Sequence, residues 1–220
     1  MLTNVALGGD SITAMKLLAR CRGEGINLTL NQVLRAKSLA HLAESVKSST
    51  ASDYGSEQTD KPFALSPIQR FYFKTNNVEK STHFNQSSMM RLSKRLDGSQ
   101  IRRAFGAIVE CHSLLRARFS QDERGRWQQS VVPNAAGSFV FTEHRVPSMS
   151  AIAPIVSATQ KSLDIRNGPV FAVNLFDIAT GEQILFIAAH HLVIDVVSWG
   201  IIHGDLEQLL TSRSTITLPK

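Results

Sequence analysis

The sequence predicts an α+β protein in two parts. Three observations carry this. Residues 1–46 hold apolar positions at helical spacing. Residues 47–61 hold almost none. Residues 62–220 mix helical periodicity with short apolar runs, the strongest of them Gln183 to Ala189. A run of that length reads as a buried strand, and it ends on His190-His191, a tandem histidine at a strand-to-helix turn.

The chain has 220 residues, 43% hydrophobic and 19% charged, which is the balance of a folded globular chain with room for one large domain or two small ones. The formal net charge is +6, but Lys and Arg are scattered without a dense basic run or interleaved aromatics. The charge is therefore expected to be a solvated surface and not a nucleic-acid footprint. The longest apolar stretch carries two histidines and is too short for a membrane span, and the N-terminus shows no basic-then-apolar leader. Cys21 and Cys111 have neither metal-ligand nor disulfide spacing, which fits a reducing, cytoplasmic setting.

In chain order, Gly8-Gly9-Asp10-Ser11 is a turn that opens a helix. Asp10 and Ser11 are placed to cap it, Ile12, Met15, Leu18 and Ala19 form its apolar stripe, and Gly23 and Gly25 end it. Ser38 can cap a second helix with Leu39, Leu42, Ala43 and Val46 on one face. Lys47 to Lys61 is rich in Ser, Thr and Gly and reads as a flexible linker. Ser66-Pro67 signals the next helix start, with Phe71 and Phe73 expected in the core. Ser88 to Leu92 is a strand. Ser99 is expected to cap a helix carrying Ile101, Ala104, Phe105, Ile108 and Val109, and a hairpin should turn at Asp122 to Gly125. Val170 to Phe176 and Gln183 to Ala189 form an antiparallel pair about the turn Ala179 to Glu182, and Gly200 to Leu210 is a helix.

The string His190-His191-Leu192-Val193-Ile194-Asp195-Val196-Val197-Ser198-Trp199 concentrates the chemistry. Histidine exchanges a proton near neutral pH without a large pKa shift, and an Asp beside such a turn either orients an imidazole or ties the loop down through an arginine. Taken singly, a histidine here would as readily be a structural residue satisfied by backbone. The full string His-His-x-x-x-Asp followed by Ser-Trp resembles the active-site motif of the condensation-domain superfamily of nonribosomal peptide synthetases. Further strings fit the same family in order: Leu65-Ser66-Pro67-Ile68-Gln69, His83-Phe84-Asn85-Gln86-Ser87, His112 to Phe119, and Leu163 to Pro169. Leu7-Gly8-Gly9-Asp10-Ser11-Ile12 is similar to the attachment motif of peptidyl carrier domains.

The resemblance implies a partial carrier domain over 1–46 without its first helix, a linker over 47–61, and over 62–220 the N-terminal lobe of a chloramphenicol-acetyltransferase-like α/β sandwich with a mixed sheet. It implies that Ser11 carries a covalent 4′-phosphopantetheine arm, attached by a phosphopantetheinyl transferase and loaded with an aminoacyl or peptidyl thioester. A helix N-terminus, with free N–H groups and a favourable dipole, suits the phosphodiester. It implies His191 as the catalytic group, His190 in support, and Asp195 as a structural residue paired with Arg116. The adjoining synthetase domains would be an adenylation domain upstream and a second lobe downstream. Asp195-x-x-Ser198-Trp199 and His83 to Ser87 look like epimerisation domains, although Val196 stands where the family has Gly. Condensation, with an amine attacking a carrier-bound thioester, is the alternative, and a non-catalytic truncated fragment is the third.

Overall fold

The computed structural model describes residues 28–47, 59–76 and 83–211, Leu218, and eight scattered positions between 13 and 26. These fall into two compact units. The first holds the described residues up to 47 together with residues 196–204, and the second holds 58–195 with 205–218.

In the first unit the described positions from 13 to 21 are helical, followed by α1 (Leu30–Arg35) and α2 (Leu39–Lys47). Ala14, Leu18, Leu28, Val33, Ala36 and Leu42 form its core, with Cys21 and Val46 packed against them. The buried stripe of the first helix thus runs through Ala14 and Leu18, at i and i+4, where Ala14 was not expected; Ile12, Met15 and Ala19 lie outside the described residues, as do Ser11, Gly23 and Gly25. Thr29 caps α1 in a reciprocal capping box with Gln32. Ser38 Oγ accepts from the His41 N–H at 3.2 Å, the expected cap. Of the face expected on α2, Leu42 is buried and Val46 half-buried, while Leu39 and Ala43 are exposed.

The second unit is built on a four-stranded mixed sheet in the order β1-β6-β5-β4: β1 (Asn85–Arg91), β4 (Phe139–Val146), β5 (Phe171–Ile178) and β6 (Gln183–His190). β4 runs parallel to β5 and the other pairs are antiparallel. Parallel pairing needs a crossover, and α5 (Ile152–Lys161) supplies it. Neither β4 nor α5 was expected from the sequence. α5 sets Ile152, Ile155 and Val156 against Ala172, Phe176 and Ile178. α4 (Gly98–Cys111) buries Ile101, Ala104, Phe105, Ile108 and Val109, and Phe105 meets Phe171, whose side chain is on the opposite strand face. Being covered on both faces is why every residue of β6 is buried and why its sequence is a continuous apolar run. The cap of α4 is Asp97, whose carboxylate accepts from the N–H groups of Ser99 and Gln100; Ser99, expected as the cap, already lies in the first turn.

A separate hairpin, β2 (Ala117–Gln121) and β3 (Trp127–Val131), turns through Gly125 at φ 73° as expected. α3 (Pro67–Thr75) starts at Ser66 with a full capping box to Gln69 and Pro67 in the first turn. Its inward residues are Gln69, Tyr72 and Phe73, one helical face, so Phe71, expected in the core, is 62% exposed. Phe73 stacks on Trp127 at 4.1 Å between centroids. α6 (Val196–Thr211) begins directly after Asp195, so Val196 to Trp199 belong to the helix, four residues earlier than the periodicity suggested. Among the described residues no helix is long and apolar enough to cross a membrane.

Candidate active site

The tandem histidines sit where β6 leaves the sheet. The His190 N–H donates to the Val170 carbonyl at 2.9 Å and the His191 N–H to the Phe84 carbonyl at 2.7 Å, so the strand end is held from both sides. The next three residues, Leu192, Val193 and Ile194, are all buried. The turn closes through a Val193 N–H to His190 carbonyl bond of 3.0 Å. Three apolar anchors beneath a turn fix it far more firmly than polar loop residues would. They leave His191 half-buried and Asp195 exposed.

The two imidazoles have different surroundings. His190 is fully buried, edge-on to Tyr72 at 6.0 Å and to Phe84 at 6.2 Å, and its Nδ1 accepts from the Leu192 N–H at 3.3 Å. It ties the turn to its own strand. His191 has Nδ1 at 2.8 Å from the Ile194 carbonyl. A carbonyl oxygen only accepts, so Nδ1 carries a proton toward it. Gln86 places its amide nitrogen at 3.0 Å from the other ring nitrogen, Nε2. Phe84 stacks on the ring at 4.8 Å and 25°. His191 is thereby fixed in orientation, with Nδ1 on the Ile194 carbonyl and Nε2 facing the Gln86 amide.

Phe84 and Gln86 were not assigned a role from sequence; only the string His83 to Ser87 was singled out. The signal available was that string's place on a strand: β1 starts at Asn85, earlier than the expected Ser88, and Asn85 pairs with His190 in the sheet register. The same string is pinned from the other side by a 2.7 Å bond from the Asn85 amide to the Gln160 carbonyl on α5.

Arg116 is buried, and its guanidinium donates to the carbonyls of Val109, Glu110 and Val132. It joins the end of α4 to the residue that follows β3. Asp195 lies exposed at the entry to α6. His112, which opens the same string as Arg116, has its Nε2 at 2.6 Å from the Asp205 carboxylate on α6. Asp205 was not picked out in the sequence, because nothing local marks a helix-surface carboxylate as the partner of a residue so far away. Val196 is exposed at a helix start, and Asp60 is the one described non-glycine residue with positive φ, so a β-branched side chain at 196 meets no backbone conflict.

Beyond the hairpin, Gly168 adopts φ +80°, and a Cβ there would overlap the Arg118 guanidinium. Burial lowers the pKa of Arg118, with Asp164 acting against that trend. Burial of the Asp164 carboxyl pushes its pKa up, but hydrogen bonds from the Asn167 side chain and from the Arg166 and Asn167 N–H groups outweigh this and lower it. Burial raises the pKa of the Tyr72 phenol. Among the described residues no group of three His, Cys, Asp or Glu could hold a metal ion.

A buried sheet ending in a turn that offers one oriented imidazole is an arrangement that acid–base or acyl-transfer chemistry can use. Residues 60–218 match the family described as "Condensation domain", and residues 5–46 match "Phosphopantetheine attachment site". The chain belongs to the condensation-domain family and carries a phosphopantetheine attachment region. It is 45% identical over 218 residues to nonribosomal peptide synthetase ungA' of Aspergillus campestris, covering 97% of this chain and 2% of that protein. It is also 45% identical over 222 residues to nonribosomal peptide synthetase 5 of Gibberella zeae, again covering 97% and 2%. The chain thus spans about one fiftieth of the curated relatives it matches. Among solved structures, the epimerization domain from the third module of tyrocidine synthetase B superposes with TM-score 0.61 at 31% identity, over 70% of this chain and 36% of that one. The first condensation domain of the calcium-dependent antibiotic synthetase superposes with TM-score 0.60 at 20% identity, over 69% and 39%, a likeness of fold. The fold is that of a chloramphenicol-acetyltransferase-like lobe, with helices on both faces of its mixed sheet. Ser11 lies within the matched attachment region and outside the described residues.

Proposed function

We propose that this chain is a working part of a nonribosomal peptide synthetase, in which Ser11 bears a phosphopantetheine-linked aminoacyl or peptidyl thioester and residues 62–220 contribute to its epimerisation at the α-carbon. Residues 1–46 are the carrier portion and 47–61 the tether, which keeps the loaded arm at high effective concentration near the site. The observation that carries the reading is the orientation of His191, with Nδ1 held by the Ile194 carbonyl and Nε2 at 3.0 Å from the Gln86 amide.

A thioester carbonyl acidifies the adjacent α C–H, and an imidazole nitrogen accepts that proton. The Gln86 N–H first gives up its place on His191 Nε2, the C–H bond breaks, its electron pair passes into the enolate, and the proton rests on that nitrogen. A proton from a second acid, on the opposite face, completes the inversion; the family resemblance assigns that acid to the other lobe. His190 supports the turn. Asp195 pairs with Arg116, and because Asp195 is exposed, Asp195→Ala should cost about 1 kcal/mol and not the full penalty of a buried ion pair. An unchanged melting temperature would count against the pairing. Partners are the phosphopantetheinyl transferase, an upstream adenylation domain and the second lobe, in the cytoplasm.

Epimerisation is preferred because likeness to the epimerization domain extends to 31% identity, against 20% for the condensation domain, and because Gln86 and Phe84 come from the His83 to Ser87 string. Peptide-bond formation by the same imidazole is the second reading, favoured by the shared fold. The test is α-proton exchange in D2O on substrate loaded at Ser11 of the complete synthetase. Deuterium incorporation that is lost in His191→Ala supports epimerisation. Product that forms only when a second carrier supplies an amine supports condensation, and neither outcome leaves a non-catalytic fragment.

A further inference from the structure

Leu65-Ser66-Pro67-Ile68-Gln69 opens the second unit far in sequence from the histidine turn, yet one side chain joins them. Gln69 and Gln129 are each 4% exposed. Their amides pair reciprocally: Gln69 Nε2 donates to Gln129 Oε1 at 3.1 Å, and Gln129 Nε2 donates to Gln69 Oε1 at 2.9 Å. Each has one N–H left over. Gln129 gives its own to the Ala64 carbonyl at 3.1 Å. Gln69 gives its own to the Leu192 carbonyl at 3.0 Å, one residue beyond His191. Gln69 Oε1 also accepts from the Ser66 N–H at 2.9 Å, completing the capping box of α3. Phe63 and Gln129 exchange backbone bonds of 2.8 and 3.1 Å, which locks the same segment onto β3.

A buried amide is costly unless both its donors and its oxygen are satisfied. Gln69 meets that demand with four bonds, and one of the four lands on the turn. Two leucines would fill this space without burying amides, but they would leave the Ser66 N–H and the Ala64 and Leu192 carbonyls without these partners, so what the glutamine pair adds to apolar packing is a link between the opening segment and the histidine turn. The geometry points to Gln69 as a positioning residue for His191: the opening segment, braced by Gln129, holds the Leu192 carbonyl and so fixes the backbone from which the imidazole projects. This inference rests on the assignment of His191 as the proton-accepting group.

The test uses the complete synthetase module that contains this chain, with melting temperature, kcat and KM for α-proton exchange measured on four variants. Gln129→Leu strands one Gln69 N–H but leaves the bond to Leu192; it should lower the melting temperature and keep kcat within about threefold of the parent. Gln69→Leu releases Leu192 and strands Gln129, and should lower both melting temperature and kcat, the latter about tenfold or more with KM unchanged, the size expected for one lost orienting bond. The double variant Gln69→Leu, Gln129→Leu is the decisive one, because it removes the amide stranded in Gln69→Leu and so should recover melting temperature relative to that single variant, though not fully to the parent, while Leu192 stays unanchored. Recovered melting temperature with kcat still about tenfold down supports the inference. Recovery of both together overturns it, and makes the amide pair a packing feature. His191→Ala separates the levels. If exchange survives that change, the assignment of His191 falls and this inference with it. If exchange is lost there but intact in the double variant, only the role of Gln69 falls.

Discussion

At the scale of single residues, His191 is defined by three contacts of different kinds: a carbonyl on Nδ1, an amide donor on Nε2 and an aromatic face. Gln86→Glu is the sharpest probe. It keeps size and reach but sets oxygen lone pairs against the Nε2 lone pair, a repulsion relieved only by protonating or turning the ring. Either result removes the base, so α-proton exchange in the complete module should fall about tenfold or more at neutral pH, with the melting temperature little changed. Exchange at the parent rate would show that Gln86 does not govern Nε2. Asp164 gives a prediction about pH. Its folded pKa is depressed, so its contribution to stability is whole above the ordinary carboxylate pKa and is lost as pH falls through the lower folded value. Urea midpoints taken at stepwise lower pH should fall in that acid window for the parent and lose part of that slope in Asp164→Asn.

At the scale of elements, caps and turns carry measurable weight. Ser66 is both cap and first partner of Gln69, so Ser66→Ala should destabilise α3 by about 1 kcal/mol, read from denaturant midpoints. Gly168 is a stronger case. Its left-handed backbone costs an L-residue roughly 1–2 kcal/mol, and Arg118 occupies the space a methyl group would need. Gly168→Ala should therefore lose more than the backbone term alone, about 2–3 kcal/mol in all. A loss of about 1–2 kcal/mol, the backbone term alone, would mean that Arg118 swings aside freely. These elements also show what was legible. The Ser66 cap, the hairpin at Asp122 to Gly125 and the apolar face of α4 followed from local chemistry, because caps, turns and helical stripes are set by neighbours in sequence. Asp97 displaced Ser99 as the cap of α4, since two capping side chains stood close together and an ionised carboxylate accepts from two N–H groups at once. β4 and α5 went unseen because their partner in the sheet, β5, lies beyond a crossover and no local pattern announces parallel pairing.

At the scale of the whole molecule, the described lobe matches 36% of the epimerization-domain structure it resembles. On the proposed reading, the remainder of such a domain supplies the second wall of the cleft that His191 would need. The 220-residue chain assayed alone, with Ser11 loaded, should show no α-proton exchange above the thioester background, whereas the complete module should show exchange lost in His191→Ala. Exchange by the chain alone would mean that one lobe suffices.

The chain's own order of residues settled the class of protein, the tandem histidine and its place after a buried strand, because these depend on strings of neighbouring side chains and on a run too apolar to be anything but core. It could not settle which atom of His191 carries the proton, that Gln86 and Phe84 hold its ring, or that Gln69 reaches the Leu192 carbonyl. The first depends on how the turn folds the Ile194 carbonyl back onto the ring, and the others on contacts between segments 105 to 123 residues apart. Only the sheet register, the two helices that sandwich it and the burial of a paired amide bring such groups within hydrogen-bonding reach.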